Sequence, residues 1–416
     1  MCMIAARAAV VALLTGVAAS SATALPDWVA RIASTGQPAP GVAGSNYTSF
    51  NIAPSQTAGF TYFGGRWGSG GGILRSNGSI VTNLVSNATL TPGGASSFNA
   101  FTSVSASGLR FVFGANFEGF DGAFLSSAST GLITIADTKP ISDSGSKLFD
   151  TVGAPSVDGD IVSVWAFTPN SSVADEGIFQ TTNRITEQNR IVRLGQTLPG
   201  SNQIFTDFGT GPVNGGGASL FWGKSASNEG LYVSSGGGFV SVFADSNMTI
   251  PGQTAPLTGI RQNFSFDGTF AAFIGAGNFS VPTIYLASQG SAISIASLFD
   301  AIPDGFGTFS DFQDVAVSGD RVVFTATGPQ NQQGLYAWIN GDIITLVDRA
   351  SDLEDEKSVS RVRIGRESFD GDIIAFIAEF TDGSSGVYTF DLGVYPAPGA
   401  LVAMPLAGLF LTRRRR

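Results

Sequence analysis

Short apolar runs, many alternating with polar residues, follow one another from Trp28 to Phe390, each bounded by Gly, Asn, Asp, Ser or Pro. Runs of this kind are strand signals, and the bounding residues are turn formers. Four runs make a unit of roughly fifty residues, and about seven units follow one another along the chain. In each unit the first run is moderately apolar, as at 98–104 and 312–317. The second follows a Gly-containing turn and reaches an aromatic residue, as at 108–113, 268–273, 319–324 and 371–376. The third opens on a small triplet: Gly72-Ile73-Leu74, Gly122-Ala123-Phe124, Gly177-Ile178-Phe179, Gly230-Leu231-Tyr232, Gly334-Leu335-Tyr336 and Gly386-Val387-Tyr388. Thr283-Ile284-Tyr285 fills the gap between the fourth and fifth of these. The fourth run alternates, as at 132–136, 239–243 and 342–347.

Four strands per repeat is the blade of a β-propeller, in which neighbouring units bury each other's faces. The chain also says how the ring closes. The seventh unit ends with its third strand at Val387-Tyr388-Thr389-Phe390, while an unassigned strand, Trp28-Val29-Ala30-Arg31-Ile32, opens the repeat region. That strand leads into Gly36-Gln37-Pro38-Ala39-Pro40-Gly41. The fourth strand of the third unit leads into Gly195-Gln196-Thr197-Leu198-Pro199-Gly200. The shared G-Q-x-x-P-G identifies the N-terminal strand as a displaced fourth strand. The expected fold is therefore all-β, a seven-bladed propeller over residues 25–393 whose last blade is closed by the N-terminal strand, with a signal helix and a C-terminal helix flanking it. Closure removes exposed strand edges.

Composition narrows the chemistry. Charged residues are 13% of the 416, about half the usual share, and the net charge is −10. Nucleic acid is excluded as a partner, because phosphate binding needs a basic footprint. There is no His, so Ser-His-Asp and Cys-His catalysis and His-ligated metals are excluded. The single cysteine, Cys2, lies in a segment expected to be removed, which leaves no disulfide and no thiol nucleophile.

Both ends carry addresses. Arg7, the apolar stretch 8–19 and the small-residue site Ala22-Thr23-Ala24 read as a secretory signal over residues 1–24, with cleavage before Leu25. At the other end, 394–416 contain Pro396-Ala397-Pro398, an apolar stretch from 399 to 411, and Arg413-Arg414-Arg415-Arg416. This layout resembles the PEP-CTERM sorting signal of bacterial exported proteins, with Ala397 where that family usually has Glu. The resemblance implies export, brief membrane retention and processing by an exosortase-type enzyme. The apolar stretch is shorter than a stable spanning helix needs, and the arginines would hold that end on the cytoplasmic side. The repeats at 27–392 are also similar to those of a family of bacterial exported proteins with G-x-x-(A)F and G-[IL]-[FY] signatures, expected to be propellers. That resemblance brings no catalytic residues.

Candidate sites are few. The Asp-Gly pairs Asp158-Gly159-Asp160, Asp267-Gly268, Gly319-Asp320 and Asp370-Gly371-Asp372 are either a ring of calcium-binding carboxylates or hairpin turns, and turn chemistry fits their recurrence at one place in the repeat. Asp352, Glu354, Asp355 and Glu356 form the densest acidic run, a weak candidate for a hard cation because the spacing of a calcium loop is missing. No cofactor is expected, with calcium as the alternative. Trp165 and Trp222 are assigned to the aromatic position of the second strand, as core between blades. Trp67, in a glycine-rich stretch, and Trp338 are the candidates for ligand contact. The expected function is that of a non-enzymatic binding or structural protein of the cell envelope or matrix, with an exosortase, polysaccharide or another envelope protein as partners and membrane contact only through the terminal segments. The alternative is a carboxylate-dependent hydrolase or lyase acting on polysaccharide in the central funnel, which would need two or more Asp, Glu, Tyr or Arg side chains converging there.

Overall fold

The computed structural model describes residues 25–395, apart from 69, 95, 141–148, 169–174, 186–188, 210, 255, 278–279 and 354–356. The segments expected to be signal and sorting sequences, with Ala22, Ala24, Pro396, Ala397, Pro398 and the four arginines, lie outside the described residues, as do Glu354, Asp355 and Glu356. Among the described residues no helix is long and apolar enough to cross a membrane.

The alternating runs form seven antiparallel sheets, one per repeat, each with its strands in sequence order except the last. Blade 1 comprises Tyr47–Thr57, Phe60–Trp67, Gly70–Ser76 and Val81–Ser86. Blades 2 to 6 follow the same plan. Blade 7 takes its first strand from Val359–Arg363 and Phe369–Asp370, then Ile373–Phe380 and Ser385–Asp391, and its fourth strand is Val29–Ser34. The closing pairing is antiparallel, with Val29 opposite Phe390 and Ala33 opposite Val387. The two G-Q-x-x-P-G loops share one set of bonds. Gly36 N donates to Tyr47 O and Ala39 N to Ser45 O, as Gly195 N donates to Phe205 O and Leu198 N to Gln203 O.

Seven buried apolar clusters fill the seven junctions between blades, and the one between blades 7 and 1 includes Ala33 of the closing strand with Ile377, Val387 and Phe63. The glycine triplet has a physical cause. In every blade the register between third and fourth strands shifts beside the residue after the glycine (Thr283 in blade 5), a bulge that brings the fourth strand's carbonyl inward. A Cβ on Gly72 would lie 2.5 Å from Val85 O, and one on Gly177 2.6 Å from Val192 O. The aromatic at the end of the triplet stacks on the second-strand phenylalanine, as in Phe113–Phe124 (5.4 Å), Phe324–Tyr336 (5.7 Å) and Phe376–Tyr388 (5.5 Å).

Two sequence assignments shift. Trp165 and Trp222 stand one residue beyond the stacking position, which Val164 and Phe221 occupy, because Trp165 pairs with Ile178 and Trp222 with Leu231. Both still pack between blades, Trp222 donating its indole N–H to Ile260 O at 2.8 Å. The fourth strand of blade 4 starts at Ser241, not Phe239. Gly236, Gly237 and Gly238 all have positive φ, so the chain reaches strand geometry only after them, and Phe239 is left 82% exposed.

Candidate functional site

The first strand of every blade is broken near its middle. In blades 1, 2, 5 and 6 the pairing slips, at Ile52/Ser55, Phe101/Ser103, Ile260/Phe264 and Phe312/Val315. In blades 3, 4 and 7 the strand divides in two. The freed backbone turns inward, so neighbouring residues line the axial channel, a cavity of about 320 Å³. Six blades put an apolar side chain at one level: Pro54, Val104, Pro155, Pro212, Phe264 and Val315. Blade 7 puts Glu367 there, with Arg366 before it and Asp314 from blade 6 beside them in the lining.

Glu367 is a hub. Ser156 Oγ of blade 3 donates to its Oε1 at 2.6 Å and Ser55 Oγ of blade 1 to its Oε2 at 3.4 Å, and the Ser105 hydroxyl of blade 2 adds to the set. Each serine in turn accepts a backbone N–H from the next blade: Ala106 N to Ser55, Val157 N to Ser105 and Asn214 N to Ser156, at 2.8 to 3.1 Å. Arg366 continues the circuit. Its Nη1 donates to Gly211 O of blade 4 at 2.5 Å, and its guanidinium lies 5.2 Å over the Phe264 ring of blade 5. Its own carbonyl accepts from Ser265 Oγ, which takes Val317 N of blade 6. One dipeptide of the last blade therefore reaches blades 1 to 5 directly and blade 6 through a serine.

Arg366 and Glu367 are half-buried in the channel wall, ringed by residues of the other blades. Burial pushes the Glu367 carboxyl above the usual carboxylate range, against the serine hydrogen bonds and Arg366, which favour the charged form. Burial likewise lowers the Arg366 guanidinium, opposed by Glu367 and Asp314. Asp314 is raised by burial, opposed by the hydroxyl of Thr325 and by Arg361, Arg363 and Arg366.

A second ring lies at the first hairpins. Thr57, Ser107, Asp158, Asp267, Ser318 and Asp370 each accept, through a side-chain oxygen, a backbone N–H of the next blade's hairpin, from Gly108, Gly159, Gly217, Gly319, Gly371 and Ala58 respectively, at 2.7 to 3.1 Å. The Asp-Gly pairs are thus hairpin turns, with Gly159, Gly268, Gly319 and Gly371 at positive φ, and three of their aspartates clamp adjacent blades. The junction between blades 4 and 5 differs. Gly215 and Gly216 supply no side chain there and press on Gly268, so close that a Cβ on Gly215 would lie 2.5 Å from Gly268 N.

The tryptophan expectations divide. Trp67 is no surface contact: it is 5% exposed and ends the second strand of blade 1, where Gly70 and Gly72 make room for its indole beside Tyr47. The glycines that suggest a mobile loop are space for a ring. Trp338 is half-buried against the cluster between blades 5 and 6. Asp352 is exposed in its connector, and among the described residues no group of three or more Cys, Asp or Glu is placed to hold a metal. The channel charges carry a sequence signal that the repeats conceal: aligned on the hairpin, Glu367 stands where the other six blades are apolar.

The chain matches a family of unknown function (DUF7453) over residues 15–354. It belongs to that family. No curated protein matches it in sequence. Among solved structures the family member resembles the β-propeller domain of the Trilobed protease from Pyrococcus furiosus, with a TM-score of 0.50 and 11% identity, covering 82% of this chain and 96% of that one. It also resembles prolyl oligopeptidase B from Galerina marginata, with a TM-score of 0.51 and 10% identity over 84% of this chain. This chain spans 49% of that oligopeptidase. At such identities the likeness is one of fold. The Pyrococcus domain is described as having an open velcro topology, whereas this DUF7453 chain closes its last blade with its own N-terminal strand.

Proposed function

We propose that this DUF7453 protein is an exported, non-enzymatic binding and scaffolding propeller of the cell envelope or extracellular matrix, sorted through its PEP-CTERM-like C-terminus by an exosortase-type enzyme. The observation that carries the reading is the use made of the channel charges. Both carboxylate oxygens of Glu367 accept from serines of other blades, Nη1 of Arg366 donates to Gly211 O and the guanidinium lies over Phe264, which is the work of a ring brace. A rigid braced ring offers its hairpins and rim for recognition. The signal-like residues 1–24 and the layout of 394–416 supply the address.

The channel also favours a second reading, a carboxylate-dependent hydrolase or lyase acting on polysaccharide, because Asp314, Arg366 and Glu367 do line one cavity. The two readings separate in one experiment. The full chain is passed over immobilised envelope and exopolymer fractions, and soluble sugar release is followed in parallel. Retention without sugar release supports the binding propeller. Failure to bind any fraction overturns it. Sugar release lost in Glu367→Gln or Asp314→Asn establishes the enzyme.

A further inference from the structure

The junction whose hairpins lack a side-chain clamp, between blades 4 and 5, is also where the ring carries a groove of about 730 Å³. Its walls are hairpins of blades 4 and 5, and its floor is apolar, with Phe243 and Phe266 edge to face at 5.6 Å. The bare glycines at 215–217 and 268 keep this side of the junction low. Phe239 stands at the rim, raised by three successive glycines at positive φ. Around it lie Ser241, Thr269, Ser288 and the Gln289 amide, whose Nε2 is 3.4 Å from Ser241 Oγ.

Among the described residues no charged side chain lines this groove. Asp267, next to it in sequence, turns its carboxylate to Thr269 N, Phe270 N and Gly319 N. A cation would find no counter-charge here, and the net charge of −10 disfavours an anion. What fits is a neutral molecule with one apolar face for the Phe239 ring and hydroxyls for the serine, threonine and glutamine groups. We propose that the groove between blades 4 and 5 is the binding site of a neutral oligosaccharide, whose C–H face lies on Phe239. This assignment rests on reading the protein as a binding propeller and names the ligand class for it.

The test titrates the full chain calorimetrically with neutral oligosaccharides of the cello-, malto-, xylo- and chito-series, with oligogalacturonate as the charged counterpart and a neutral Phe-containing peptide as the protein counterpart. Phe239→Ala and Gln289→Ala probe the groove, and Phe299→Ala, another exposed ring on a blade connector, is the control. The expected result is binding to at least one neutral series, weakened at least tenfold by Phe239→Ala and unchanged by Phe299→Ala. Sugar binding that survives Phe239→Ala overturns the groove and leaves the binding propeller standing. Peptide binding lost in Phe239→Ala, without sugar binding, overturns the ligand class. If no neutral sugar binds but envelope fractions still retain the chain, the glycan assignment fails alone; if neither is seen, both fall.

Discussion

Ser156 Oγ donates to Glu367 Oε1 at 2.6 Å across 211 positions of sequence, and the same oxygen of Ser156 accepts the Asn214 N–H. The serine is satisfied on both sides and is 2% exposed, so removing the carboxylate takes the acceptor from a buried hydroxyl. Glu367→Ala is expected to lower stability by about 3 kcal/mol, since hydrogen bonds to charged groups contribute about 1.5–3 kcal/mol each and an unsatisfied donor adds its desolvation. Glu367→Gln keeps an acceptor oxygen and removes the buried charge, and should stay within about 1 kcal/mol of the parent. Urea unfolding with an unchanged slope measures both. Equal losses for Ala and Gln would show that the charge, not the acceptor, holds the hub.

The raised carboxyls of Glu367 and Asp314 set a pH dependence. Their unfolded counterparts titrate near 4.5 and 3.8, so above those values the folded chain holds protons that the unfolded chain has released. By linkage, stability falls as pH rises from the ordinary carboxylate range through the raised values. The thermal midpoint should therefore be highest in mild acid, and Glu367→Gln with Asp314→Asn should flatten the decline. A midpoint that climbs with pH over that window in the parent chain contradicts the assignment.

Deleting residues 25–35 removes the fourth strand of blade 7 and exposes the edge at Ser385–Asp391. Val29 and Ala33 leave their clusters, and burial of a valine alone contributes about 1.5–3 kcal/mol. A clear drop in thermal midpoint, with concentration-dependent aggregation, is the expected outcome. An unaltered melting curve would mean that the ring does not depend on this strand.

The clamps are sensitive to losing an atom and the glycine junction to gaining one. Ser318→Ala deletes one acceptor for Gly371 N and should cost about 1 kcal/mol. Gly215→Ala adds one methyl group, yet its Cβ would meet the backbone of Asp267 and Gly268 at 2.5–2.6 Å, and overpacking against backbone should cost about 2–3 kcal/mol. Chemical denaturation of the two variants side by side ranks them, and a Gly215→Ala variant as stable as the parent would show that blades 4 and 5 are free to part.

What could be seen in the sequence was whatever repeats. The Gly-Ile-Leu type of triplet recurs because every blade needs the same bulge, and G-Q-x-x-P-G recurs because two connectors share one set of backbone bonds. Trp67 misled because a glycine run looks the same whether it is loose or leaves room for an indole. Arg366 and Glu367 were hidden for the opposite reason. They occur in one blade only, and their partners are scattered from Ser55 to Ser265, so no recurring motif points to them, and Glu367 shows only as the one exception when the seven hairpins are aligned. Phe239 looked like a strand residue because its alternation with Ser241 and Phe243 continues a true strand backwards past the point where three glycines end it.

The closing contacts also set an order of events. Thr35 and Ser385 exchange hydrogen bonds across 350 positions, and the brace at 366–367 belongs to the same last blade. A chain synthesised from its N-terminus has six blades in hand before either element that unites them exists. Contacts of such separation form late and slowly, after local hairpins have assembled. Until then the N-terminal strand has no partner and three serines have no carboxylate to donate to, so the early blades form a loose arc. The ring becomes a single cooperative body only when its last blade, Val359 to Asp391, arrives.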